Sequence, residues 1–321
     1  MSGTVSRNHK SSGVWRTFRK QKIPQTFAIL GIIYLLIFSY VPMSGLIMAF
    51  KNYNISLGVM GIFTSDWVGL KHFKAFVNDI NFWTIIRNTV ALSFLKLIFA
   101  FPMPIIFAVM LNEIKQNKIK RCIQTISYLP HFISWVIVSG LAINFLATDN
   151  GLINQMLIAL GLIKDGIPFL TSAGHFWPLA VVLDVWKDMG WWTIIFLAAI
   201  TGIDPSLYEA ADIDGASRFS KILKITIPGI RGTIAVVLIL ALGNLFGGGL
   251  SGSNFEQSYL LGNAMNLEKS QIIQTYIFKV GLSNGRYAYA TAIGLIQSVI
   301  SLILIFGSNL VSKKVSDTSL F

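Results

Sequence analysis

The chain has 321 residues, of which 54% are hydrophobic and only 12% charged, too little charge to coat a soluble globule of this size. A water-soluble fold is thereby excluded and a lipid-embedded one expected. The formal net charge of +12 comes from basic residues flanking apolar runs, not from an aromatic-interleaved face, which argues against nucleic acid as a partner.

Residues 1–24 form a basic leader, with Arg7, Lys10, Arg16, Arg19, Lys20 and Lys22 and no acid. The apolar run that follows is longer than the roughly 7–15 residues of a secretory signal, so it reads as an uncleaved first span. Its leader is free in the cytoplasm or rests on anionic lipid. A crossing takes about 20 residues at ~1.5 Å each. Six stretches qualify: 27–50, 89–111, 123–146, 176–200, 233–249 and 287–311. They form one all-α membrane domain, residues 25–312, followed by a short tail, 313–321.

Sixteen of the 26 Lys and Arg residues fall in the leader, the second-to-third loop, the fourth-to-fifth loop and the tail. The positive-inside bias then puts both termini in the cytoplasm. The loops on the other side carry Trp67, Phe76, Phe82, Phe169, Tyr259 and Leu260, too apolar for disorder, and are expected to pack as a cap or to bind a partner.

Ionisable residues inside a span default to function. The fourth span holds Asp184, Lys187 and Asp188 at i, i+3 and i+4, able to share a helix face and partly neutralise one another, with Trp191 one turn further on. This points to a wet cavity. Trp186, Trp191 and Trp192 either stack on sugar rings or form an interfacial belt around a structural ion pair. In the fifth span Asn244 precedes Gly247, Gly248 and Gly249, a run expected to loosen the helix and turn backbone toward a cavity. Gln297 and Asn144 are further polar residues at membrane depth, explained by interhelical hydrogen bonding or by ligand contact alike.

Enzyme chemistry finds little support. Residues 281–285 spell G-x-S-x-G around Ser283, but all four histidines lie upstream and the segment leads into a membrane helix, so a polar turn is the better reading of it than a hydrolase elbow. No Gly-Lys dipeptide exists to build a phosphate loop, and the histidines lack metal spacing. No catalytic or metal residue and no bound cofactor is expected. The lone Cys122 excludes a disulfide framework and reads as a packing residue.

The loop at residues 204–228 is the most informative part of the chain. Asp204 or Ser206 can cap a short helix with Pro205 in its first turn, and Gly215 can end it at positive φ. A second helix then starts near Ser217, carries Phe219, Ile222 and Leu223 on one side, and stops before Pro228. The loop resembles the signature of the permease subunits of type I ABC importers: E-A-A, three residues, G, nine residues, I-x-L-P. Here it is Glu209, Ala210, Ala211, Gly215, Ile225 and Pro228, with Ile227 in place of the Leu. Further stretches are similar to the carbohydrate branch of that family, the LplB-like permeases: Arg87-Asn-Thr89, Ala108 to Glu113, Gln124 to Trp135, Trp186 to Gly190 and Tyr208 to Ala216.

The resemblance implies a six-helix MetI-like fold in a bacterial cell membrane. It also implies a cytoplasmic coupling helix, in which Glu209 meets a basic residue of an ATP-binding subunit, Ala210 and Ala211 allow close approach and Gly215 forms the bend beside Asp214. The expected partners are a second homologous permease, two ATP-binding subunits that hold ATP-Mg, and an extracellular solute-binding protein. The expected cargo is an oligosaccharide, with pectin-type fragments among the candidates. An ion-coupled secondary transporter using Asp184 and Asp188 is the alternative, and it leaves the signature loop unexplained.

Overall fold

The computed structural model describes residues 22–316, so the leader ahead of Lys22 and the end of the tail lie outside the described residues. In chain order the helices are α1 (Ile23–Phe50), α2 (Lys71–Val77), α3 (Phe82–Asn112), α4 (Asn117–Phe132), α5 (Trp135–Leu146), α6 (Leu152–Ala159) and α7 (Ala173–Thr201). After them come α8 (Pro205–Ile213), α9 (Arg218–Gly229), α10 (Arg231–Gly243), α11 (Asn254–Leu260), α12 (Ile273–Phe278) and α13 (Tyr287–Ser316). No strand of a sheet occurs among the described residues; one isolated bridge joins Lys51 to Trp67.

Among the described residues α1, α3 and the apolar stretch of α13 are each long and apolar enough to cross a bilayer, and counting each of three bent pairs as one span gives up to six. The pairs are α4 with α5, bent by 100°, α7 with α8, by 69°, and α9 with α10, by 61°. The expected third span, 123–146, is therefore not one straight helix. α4 carries Lys118, Lys120 and Arg121 opposite an apolar face, Pro130 tightens its end into a 3-10 turn, and Ser134 starts α5 by accepting from the Ile137 amide at 3.4 Å. α5 has 12 residues, ~18 Å, which covers only part of a ~30 Å hydrocarbon core. Cys122 is exposed on α4 and is not a packing residue in this chain.

The fifth span also ends sooner than read. α10 stops at Gly243, Asn244 caps it, and the chain reverses through Gly248 (φ 114°) and Gly249 (φ 64°), so the glycines terminate a helix instead of loosening one. α9 in turn does not stop before Pro228 but runs on to Gly229. Just ahead of that proline the helix widens over Ile222–Thr226, with the Ile227 amide reaching back five residues to the Ile222 carbonyl. The same device precedes Pro42 (Leu36–Tyr40) and Pro102 (Lys96–Ala100). A proline lacks the amide for the usual bond and crowds the carbonyl four residues back, and one extra residue in the turn relieves both faults without breaking the span.

Three buried clusters join these elements. Ala108, Val109, Phe196, Leu197, Ile200, Ile230 and Val237 lock α3, α7 and α10 together next to the 204–228 loop. Leu92, Ala142, Phe176, Ala180, Leu261 and Ile272 hold the middle. Phe76, Ile85, Ile273, Tyr276, Val280, Tyr289 and Ile293 form the third cluster, which ties the 51–81 segment down as a packed cap. Asp79 finishes that cap by accepting from Tyr276 Oη at 2.6 Å, Tyr289 Oη at 3.0 Å and the Asn81 amide at 2.9 Å. Where Trp186-Lys-Asp-Met-Gly190 meets the 124–135 stretch, the fit is backbone to backbone. A Cβ on Gly190 would lie 2.1 Å from the Ser127 carbonyl oxygen, so only glycine lets α7 approach α4 this closely.

Candidate functional site

Two arrangements stand out: the helix-turn-helix at residues 204–228 and a buried polar cluster along α7. In the first, Asp204 caps α8 by accepting from the Ser206 amide at 2.9 Å, a bond that also holds its exposed carboxyl below the usual range. Pro205 occupies the first turn. α8 ends at Asp214, and Gly215 turns the chain at φ 70°. The Ala216 amide donates back to the Ala211 carbonyl at 2.9 Å, closing the helix end. Ser217 then caps α9 by accepting from the Ser220 amide at 3.2 Å.

Lys221 Nζ reaches Asp212 Oδ1 at 2.6 Å, and the hydroxyls of Tyr208 and Thr226 meet at 2.9 Å, so α8 is braced along α9 as one unit. Glu209, Ala210, Asp214, Gly215 and Pro228 are exposed, while Ala211 and Ile225 are half-buried against the brace. Leu207, Ile213, Phe219 and Leu223 are also exposed, giving this polar-rimmed knob an apolar surface.

The second arrangement sits inside the bundle. Asp184, Lys187 and Asp188 are 4%, 6% and 6% exposed, and each is engaged. Asp184 Oδ1 lies 3.0 Å from Lys96 Nζ on α3 and accepts from Ser251 Oγ at 2.7 Å and Ser253 Oγ at 2.5 Å. Lys96 Nζ also donates to Ser253 Oγ at 2.7 Å. One turn along, Asp188 Oδ1 meets His131 Nδ1 at 2.7 Å and Lys187 Nζ at 3.6 Å. Lys187 donates to the His131 carbonyl at 2.8 Å, and the His131 ring stacks flat on Trp191 with centroids 4.4 Å apart. The result is a stitched network across α3, α4, α7 and the segment after α10. A charge buried in lipid survives only with such partners.

Lys96, Asp184, Asp188, Gly248, Gly249 and Ser251 line a narrow cleft, so backbone after α10 does face a cavity, though from a turn and not from a helix. Asn244 serves the turn itself, with its Nδ2 donating to the Gly249 carbonyl at 3.1 Å. Trp186 points away from the cluster into an apolar groove with Leu95, Phe99 and Val182. Gln297 is half-buried on α13, apart from the cleft lining, and Asn144 donates to its own helix at the Gly140 carbonyl. Ser283 ends a widened helical segment, Lys279–Ser283, that continues α12, so it sits on helix and not on the polar turn expected, and with no strand before it the nucleophile-elbow geometry is absent.

The sequence reading missed Lys96, His131, Ser251 and Ser253. Lys96 had a signal, a lone lysine in an apolar run. The serines had none, because their role appears only when the post-α10 turn folds back on α7.

Residues 100–317 match the family described as Binding-protein-dependent transport system inner membrane component. Protein LplB of Bacillus subtilis (strain 168) is similar at 44% identity over 291 residues, covering 91% of this chain and 88% of its own. The Polygalacturonan/rhamnogalacturonan transport system permease protein YteP of the same organism is 41% identical over 302 residues, covering 94% and 91%. A chain in the crystal structure of a bacterial alginate ABC transporter, in complex with an alginate pentasaccharide-bound periplasmic protein, superposes with a TM-score of 0.86. It is 39% identical, over 96% of this chain and 99% of that one.

Proposed function

This chain belongs to the binding-protein-dependent transport system inner membrane components, the multi-pass permeases of ABC importers, and we propose that its cargo is an oligosaccharide, with acidic plant cell-wall fragments of the pectin type foremost. What carries the mechanism is the braced, exposed helix-turn-helix at residues 204–228. Glu209, Ala210, Ala211, Asp214, Gly215, Ile225 and Pro228 dock there on an ATP-binding subunit, which binds ATP-Mg while this chain binds no cofactor.

A second, homologous permease completes the pore, and an extracellular solute-binding protein delivers the sugar. Residues 25–312 form the membrane domain, with the leader 1–24 and the tail 313–321 both in the cytoplasm, supported by the distribution of Lys and Arg. Closure of the two ATP-binding subunits pulls the paired coupling loops together, and the bundles rock between inward and outward packings. Asp184, Lys187, Asp188, Trp191 and Asn244 lie along or beside the route, with Trp186 and Gln297 on its flanks. An ion-coupled transporter would need Asp184 and Asp188 free to exchange an ion, and both are taken by Lys96 and His131.

Cells carrying Glu209→Arg should lose ATP-dependent uptake of labelled trigalacturonate while the solute-binding protein still loads it and the permease is still present in the membrane. Unaltered uptake would overturn the coupling assignment.

A further inference from the structure

The segment after α10 builds a second polar recess, distinct from the Lys96 and Asp184 cluster. α11, the turn at Gly262, the stretch around Ser270 and α12 bound an open recess of about 240 Å³, room for one small unit at the lower edge of the ~300–1,000 Å³ of small-molecule sites.

Its floor is short of hydrogen bonds. Ser258 and Ser270 are 5% and 1% exposed, and neither Oγ has a partner among the described residues. An unmet buried hydroxyl costs about 1–3 kcal/mol, so two of them lining one recess mark donors and acceptors kept for something else. Gly262 keeps the floor open, because a Cβ there would lie 2.2 Å from the Ser258 carbonyl oxygen and 3.1 Å from Ser270 Oγ.

One wall is aromatic, with the rings of Tyr259 and Phe278 5.1 Å apart at 66°. Lys279 is the charged side chain of the lining; it is exposed, makes no ion pair among the described residues, and no carboxylate lines the recess beside it. The frame is preformed. Asn88 Nδ2 on α3 holds the Glu268 and Gln271 carbonyls at 2.8 and 2.9 Å, and Thr89 Oγ1 accepts from the Ile273 amide at 2.9 Å.

We infer that this recess is a subsite for one negatively charged sugar unit, a uronate, on the membrane side opposite the 204–228 loop. Lys279 meets the carboxylate, Ser258 and Ser270 the ring hydroxyls, and Tyr259 with Phe278 the C–H face of the ring. α10, which follows that loop in the chain, leads from it toward the recess, and the assignment rests on the oligosaccharide reading above.

The test is saturation-transfer NMR on the full-length chain in nanodiscs, with trigalacturonate and the uncharged maltotriose as probes, beside thermal unfolding of each variant. The wild-type chain should bind trigalacturonate in preference. Lys279→Gln should weaken that binding tenfold or more and abolish the preference. Ser270→Ala should weaken it at least threefold at an unchanged or raised melting temperature, since an unmet hydroxyl gives up no internal bond. Absence of trigalacturonate binding, or equal binding by wild type and Lys279→Gln, would overturn the subsite. If uptake of trigalacturonate by cells nonetheless depends on this chain, the cargo reading survives that result. If deleting the chain changes no oligosaccharide uptake, both readings fall.

Discussion

Lys96 Nζ and Asp184 Oδ1 lie 3.0 Å apart with side chains 2% and 5% exposed, joining α3 to α7 inside the membrane domain. Removing one partner of such a pair strands the other charge, at a cost of about 3–5 kcal/mol, whereas replacing both with apolar residues is often neutral or better. Lys96→Met should therefore lower the melting temperature of the purified protein steeply. Lys96→Met combined with Asp184→Leu should recover most of the loss, and a double variant as unstable as the single would show that the pair is not the main contact.

Asn88 is fully buried and its amide serves two loop carbonyls, those of Glu268 and Gln271. Asn88→Ala should cost about 1–3 kcal/mol for each carbonyl left unmet. Hydrogen exchange should rise across residues 268–273 and stay unchanged in the 204–228 loop. Uniform exchange over both would contradict a local anchor.

The same substitution should act through different causes at two glycines. Gly190→Ala drives a methyl into the Ser127 backbone and should cost about 1–3 kcal/mol by overpacking, pushing α7 away from α4. A Cβ at Gly215 meets nothing within 4 Å, so Gly215→Ala incurs only the positive-φ penalty of roughly 1–2 kcal/mol, confined to an exposed turn. Both should lower the melting temperature, but hydrogen exchange should rise along α4 and α7 for Gly190→Ala and only around residue 215 for Gly215→Ala, which should be impaired chiefly in uptake.

Burial pushes the Asp79 carboxyl up, but the bonds from Tyr276, Asn81 and Tyr289 outweigh it and hold the group below its ordinary value. The stability it contributes is fully present above the ordinary carboxylate range and is lost as the pH falls through the lowered value. Melting temperatures of wild type and Asp79→Asn should converge in acid below about pH 4 and diverge above it, with the wild type higher. Parallel curves across that window would remove Asp79 from the account.

The long apolar spans and the 204–228 loop were readable because their signals are local: hydropathy over one helix, a cap, a proline, a glycine. Residues 123–146 misled for the same reason. Their composition suits a span, but the break at Ile133 and Ser134 depends on α4 lying as an amphipathic helix against α7, which no window of sequence contains. Asp184, Lys187 and Asp188 were found by their spacing, and the first was assigned the wrong counter-charge. Neighbours at i+3 and i+4 are visible in a sequence; Lys96, two spans upstream, is not.

The cluster along α7 has an electrical consequence. Lys96 and Lys187 stand against Asp184 and Asp188, two formal positive charges against two negative. A net charge carried across the membrane potential would cost roughly 2.3 kcal/mol for each 100 mV. On the mechanism proposed above, helices that shift with these four residues carry their formal charges as balanced pairs, and that rocking neither draws on the cell's voltage nor works against it.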